Sequence, residues 1–145
     1  MFTYSIQLAG YDYTQYDEKS QIDLPGFLNI IDQFPWMEQL EKYSEIQEGC
    51  SATVFATNQD TNNSLWVSIA GNKNKYSYLV GYVYPKTSKG FLGLGREKTK
   101  KWLDIYRVND FALIKSFFSI FFDNETLLQE QLSLEEKFDS MPAQN

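Results

Sequence analysis

The sequence predicts an α+β fold in which an antiparallel sheet of about five strands, a meander plus an N-terminal strand, is packed by two or three helices. Three patterns carry that expectation. Apolar and polar residues alternate with a period of two near the N-terminus, strand-like runs separated by turn-forming residues follow between Ala52 and Val108, and apolar runs beginning at Phe27 and Phe111 keep helical spacing. Sequential strands with short links pair antiparallel.

The first strand is read from Phe2, Tyr4, Ile6 and Leu8 set against Thr3, Ser5 and Gln7. Residues Gly10 to Asp23 are polar, rich in tyrosine and acid, and read as a loop. A helix starts near Pro25, where proline is tolerated in a first turn, and carries Phe27, Leu28, Ile30, Ile31 and Phe34. Pro35 breaks or restarts it, and Trp36, Met37, Leu40 and Tyr43 continue as a short amphipathic segment that fades into Glu45–Glu48. The meander is expected at Ala52–Thr57, Ser64–Ala70, Tyr76–Tyr84 and Trp102–Val108. Turns at Asn58–Asn63 and Gly71–Asn74 contain residues that accept positive φ. A glycine-containing connection from Pro85 to Lys101 has room for a short strand around Phe91–Leu94. Asn109-Asp110 caps an almost wholly apolar helix at Phe111–Phe122, which should be buried against the sheet. Leu127, Leu128, Leu132 and Phe138 suggest a last acidic helix, and Ser140–Asn145 a frayed tail.

At 145 residues the chain fits one domain, 1–145, with enough length for a hydrophobic core that needs no staple. Its formal charge of −6 argues against a uniformly basic nucleic-acid surface and against an anionic membrane surface. The charge is uneven: residues 1–50 carry a net −7, residues 73–107 a net +7 and residues 108–145 a net −5. With no histidine, the usual general base, zinc ligand and nucleophile partner are missing, so the expectation is a protein without enzyme activity or cofactor. The single cysteine, Cys50, and an opening segment without a basic and apolar leader pattern point to the cytoplasm. The Phe111–Phe122 run, at about 12 residues, is shorter than the roughly 20 that a membrane span requires.

Several motifs fail on inspection. Gly90–Gly95 has the glycine spacing of a phosphate-binding loop, but Arg96 and Glu97 stand where lysine and a hydroxyl residue are required. Asp60, Asn62 and Ser64 open like a calcium loop, yet Leu65 and Gly71 occupy its glycine and glutamate positions. The basic run Lys86, Lys89, Arg96, Lys98, Lys100, Lys101 and Arg107 is interleaved with Tyr84, Phe91, Trp102 and Tyr106. It supports two readings: a nucleic-acid or nucleotide-binding segment at 86–107, or a solvated hairpin whose lysines guard a strand edge.

The segment Tyr11, Asp12, Tyr13, Tyr16, Asp17 and Glu18 sets tyrosines among acids in an expected loop. Tyrosine is a frequent binding hot spot and carboxylates steer a basic partner, so these six residues are the candidate partner-binding site. The alternative is an irregular edge packed onto the sheet.

The order of elements, with Phe34-Pro35-Trp36, Leu65–Ile69, Tyr78–Tyr82 and the run from Val108-Asn109-Asp110 into Phe117-Phe118, resembles small bacterial immunity proteins. These are the antitoxins of contact-dependent growth inhibition and related polymorphic toxins, and the resemblance spans Phe34 to Leu132. It implies a cytoplasmic protein that binds a cognate toxin C-terminal domain, often a nuclease, and occludes it. Contact residues in that family vary with the toxin, so none is carried over by position.

Overall fold

The computed structural model describes residues 1–88 and 98–143. The α+β class is as expected, but among these residues the antiparallel sheet has seven strands rather than about five. The elements are β1 (Phe2–Gln7), β2 (Asp17–Gln21), α1 (Leu24–Gln33), α2 (Trp36–Ile46), β3 (Thr53–Asn58), β4 (Asn63–Asn72), β5 (Lys75–Ser88), β6 (Lys98–Val108), α3 (Phe111–Asp123), a 3-10 turn at Glu125–Leu127, α4 (Leu128–Leu132) and β7 (Glu136–Pro142). The strand order is β2-β1-β3-β4-β5-β6-β7. The chain therefore leaves the β2 edge, passes over β1 through α1 and α2, and re-enters beside β1 as β3.

Local chemistry sets the helix boundaries. Asp23 caps α1 by accepting from the Gly26 amide at 2.9 Å, and Asp110 caps α3 by accepting from Ala112 and Leu113. Pro35 separates α1 from α2, and Gln47, in the left-handed region at φ 55°, ends α2. Gly71 takes φ 109° at the β4–β5 turn, where an added Cβ would lie 2.4 Å from the Lys75 carbonyl oxygen, so glycine is required.

One face of the sheet is covered. Val54 and Ala56, Leu65, Val67 and Ile69, Val80, Tyr82 and Tyr84, and Tyr106 and Val108 alternate along their strands and are all buried. They meet Phe27 and Ile31 of α1, Trp36 and Leu40 of α2, Ile114, Phe117, Phe118 and Phe121 of α3, and Leu128 and Leu132 of α4. Phe27 and Phe118 are fully buried with ring centroids 4.6 Å apart. Each such side chain contributes about 1.5–3 kcal/mol through burial.

Both additional strands lie at sheet edges. In β2, Asp-Glu-Lys-Ser-Gln has no apolar residue, and its composition predicts a loop. It nevertheless pairs Thr3 with Gln21 and Ser5 with Glu18, since an edge strand can be held by backbone hydrogen bonds alone. The last acidic helix is also corrected: α4 ends at Leu132 and the chain returns as β7, so Ser140–Pro142 is strand rather than frayed tail. Phe138 follows Leu132 by six residues, about 240° around a helix, and so falls off its apolar face. Residues 102–107 of β6 offer the backbone partners that decide the outcome. The strand expected at Phe91–Leu94 and the glycine run Gly90–Gly95 lie outside the described residues. The meander strands themselves extend further, with β5 and β6 paired as far as Ser88 and Lys98.

Candidate functional site: the open sheet face

Strand register sorts the other face of the sheet into rows. Glu18, Ser5, Phe55, Trp66, Gly81, Ile105 and Asp139 form one; Gln21, Thr3, Thr57, Ser64, Val83, Leu103 and Met141 form the next; Gln7, Thr53, Ser68, Leu79, Arg107 and Glu136 form a third. Gln7, Thr53 and Ser68 of the third row are buried, whereas Phe55, Trp66, Leu79, Val83, Leu103 and Ile105 remain partly exposed. Hydroxyls dominate the β1–β4 half and aliphatic side chains the β5–β7 half.

Trp66 lies flat over Gly81: a Cβ on that glycine would sit 2.0 Å from Trp66 Cε2. The glycine is what allows the indole to rest on the sheet. Phe55 stands beside it, ring centroids 6.4 Å apart, and Tyr16 meets Phe55 edge-on at 5.4 Å. Three aromatic rings thus run from the loop onto the sheet.

The candidate loop is built onto that edge. Tyr11 and Cys50 tie it down through backbone bonds, Gly10 N to Cys50 O and Cys50 N to Tyr11 O, both 3.0 Å. Cys50 is buried, and burial pushes its thiol pKa up, so it is a poor nucleophile. The Tyr11 hydroxyl donates to Asp17 Oδ2 at 2.9 Å, a bond that raises the tyrosine pKa because the carboxylate holds the proton. Asp12 accepts from the Thr14 amide and Gln7 Nε2 donates to the Tyr13 carbonyl. Tyr11 and Asp17 therefore shape the loop, while Asp12, Tyr13, Tyr16 and Glu18 face solvent, Tyr13 with 67% and Tyr16 with 45% of its surface exposed.

Between this wall and β6 lies a groove of about 910 Å³, with Thr3, Ser5, Phe55, Thr57 and Ser64 on its floor and Tyr16, Glu18, Lys19 and Lys101 at its sides. Gln59 Nε2 donates to Thr3 Oγ1 at 2.6 Å, and the Thr57 and Ser64 hydroxyls bond each other at 2.9 Å. Lys101 Nζ donates to the Asn62 carbonyl, and partial burial lowers its pKa.

Sequence reasoning missed Phe55, Trp66 and the groove. The signal was present in phase: both rings occupy positions alternating with Val54 and Ala56 or with Leu65 and Val67, where a solvated face should be polar. The basic run is divided between the two faces. Tyr84 and Tyr106 are buried, Lys86 sits 4.5 Å over the Trp102 ring, and only Lys101 and Arg107 of its described members belong to the open face.

A second polar cluster fastens β7 on the covered side. Asp104, 3% exposed, accepts from the Tyr84 hydroxyl at 2.8 Å and from Ser140 Oγ at 2.6 Å; Trp102 Nε1 donates to Ser140 Oγ, and Lys137 lies 3.9 Å from Asp104 Oδ1. Tyr82 donates to Glu125 Oε2 at 2.8 Å. Burial first, and the carboxylate bonds second, push the pKa values of Tyr82 and Tyr84 well above the ordinary tyrosine value. The groups around Asp104 engage one another, which gives them a structural task, while Glu125 Oε1 is buried without a partner.

Among the described residues no three of Cys, Asp and Glu converge on a potential metal position, and no helix is long and apolar enough to cross a membrane. Comparison of the chain with family models, with curated proteins and with solved structures finds no match.

Proposed function

We propose that the chain is an immunity-type inhibitor that acts in the cytoplasm by binding a cognate bacterial toxin domain stoichiometrically and occluding it, without catalysis. The observation that carries this reading is the Tyr16–Phe55 contact, which joins the exposed acidic tyrosine loop to the uncovered Phe55–Trp66 platform in one continuous surface. Rigid aromatic anchors supply most binding energy at protein interfaces, and surrounding carboxylates accelerate encounter with a basic partner. Glu18 lines the groove on that side, and Asp12 is exposed on the same loop as Tyr16. A toxin that attacks nucleic acid presents a basic cleft, and the carboxylates of the loop complement it in charge. The resemblance to immunity proteins points the same way.

The test is co-expression with the toxin encoded beside this gene, together with affinity measured on purified proteins. Tyr16→Ala and Trp66→Ala should each weaken binding by at least tenfold, and the Asp12→Lys/Glu18→Lys pair should slow association at low salt. Unchanged protection and affinity in all three variants would remove this surface from the mechanism.

A further inference from the structure

The groove shares Tyr16, Phe55 and Glu18 with the proposed docking surface and adds an ammonium and several hydroxyls to them. Lys101 is partly desolvated on its wall, donates to a neutral carbonyl and has no carboxylate partner among the described residues. A partly desolvated ammonium that donates to a neutral carbonyl is an available partner for an anion in the groove. The floor supplies matching donors. The Thr57–Ser64 pair uses one hydroxyl proton and leaves one free, and the Thr3 hydroxyl, already an acceptor from Gln59, retains its own.

The far end differs. Tyr16 and Phe55 form an aromatic corner there, and Glu18, paired in register with Ser5, brings an acceptor beside it. Phe55 is three residues from the turn at Asn58, so roughly 10 Å at about 3.3 Å per residue separates the aromatic corner from the place Lys101 reaches. A volume of about 910 Å³ lies within the range of small-molecule sites.

We propose that this groove binds a nucleoside monophosphate, its phosphate held by Lys101 and the floor hydroxyls and its base against Tyr16 and Phe55. Glu18 accepts from ring and exocyclic N–H groups, which favours guanine, the base that presents two such donors on one edge.

Calorimetric titration at low salt with guanosine monophosphate, adenosine monophosphate, inorganic phosphate and octathymidylate tests this, with amide shifts in a nitrogen-15 spectrum locating the site. Guanosine monophosphate should bind best, shifting Thr3, Thr57, Asn62 and Lys101. Lys101→Ala should weaken it at least tenfold, about 1.4 kcal/mol, while Lys101→Arg retains binding. Tyr16→Ala, distant from Lys101, should weaken the nucleotide but not phosphate. Equal affinity for phosphate and nucleotide, an unchanged Lys101→Ala variant whose spectrum remains folded, or no binding at millimolar nucleotide would each overturn the proposal. Tighter binding of octathymidylate would replace it with an extended single-stranded nucleic-acid surface.

Discussion

The two faces of the sheet are made by the same strands and obey different rules. On the covered face Val54, Leu65, Val67 and Val80 are fully buried in the core they share with the helices, and its polar groups Tyr84, Asp104 and Ser140 are bonded to one another. On the open face Phe55 and Trp66 are aromatic yet partly exposed, Lys101 lacks a counter-charge among the described residues, and hydroxyls line a groove. The contrast places the hydrophobic core on one face, and on the proposed reading recognition falls to the other, so a substitution should affect stability or binding according to its parity along the strand.

The largest effect belongs to the covered face. Phe118→Ala leaves a cavity beside Phe27 and should cost about 3–5 kcal/mol in urea unfolding, with binding by the folded fraction unchanged. A large loss of binding in that folded fraction would break the division. Gly81→Ala forces Trp66 off its seat and should cost about 1–3 kcal/mol. It should also change tryptophan fluorescence and weaken partner binding, because this one position touches both assignments.

Alkaline pH tests the covered face without mutation. Tyr82 and Tyr84 hold their protons more tightly when folded than when unfolded, where tyrosine titrates near pH ~10. Their contribution is therefore complete below that pH. It is lost as pH rises toward the raised folded values, since unfolding then releases protons. Denaturation midpoints should be insensitive to these tyrosines at neutral pH and fall above pH ~10, and part of the tyrosinate absorbance should appear only with unfolding.

Ser140→Ala removes the hydroxyl between Trp102 and Asp104 and should cost about 1 kcal/mol, with faster amide exchange confined to β7. Asp12→Lys and Glu18→Lys, exposed on the loop and wall, should each change stability by less than about 0.5 kcal/mol while altering association with the partner. A larger stability change in either would mean that the loop serves the fold.

The parts legible in sequence were those written in side-chain period or capping chemistry. Phe27, Ile31, Phe117 and Phe118 announced their helices, and Asp110 its cap. The turns at Asn58–Asn63 and Gly71–Asn74 separated strands that the structure does pair. Strand β2 was illegible because Asp17–Gln21 buries almost nothing and is held by backbone groups that every residue possesses. Phe138 was misassigned because a preceding leucine pattern extended past the point where β6 offered better partners. Within the site, the loop Tyr11–Glu18 could be named from its composition, whereas the groove could not. Thr3, Ser64 and Lys101 come together only after β1, β3, β4, β5 and β6 have paired in register.

By itself the sequence determined the alternation of each central strand, the helix caps, the charge blocks and the absence of histidine. Tertiary structure decided which parity of the alternation the helices would cover, that β1 would sit between β2 and β3, and that Lys101 would reach Asn62. The division follows from range: propensity, capping and periodicity act over a few residues, while backbone pairing is chemically the same for every strand. Its partners are chosen only when the whole sheet buries one face and leaves the other to water.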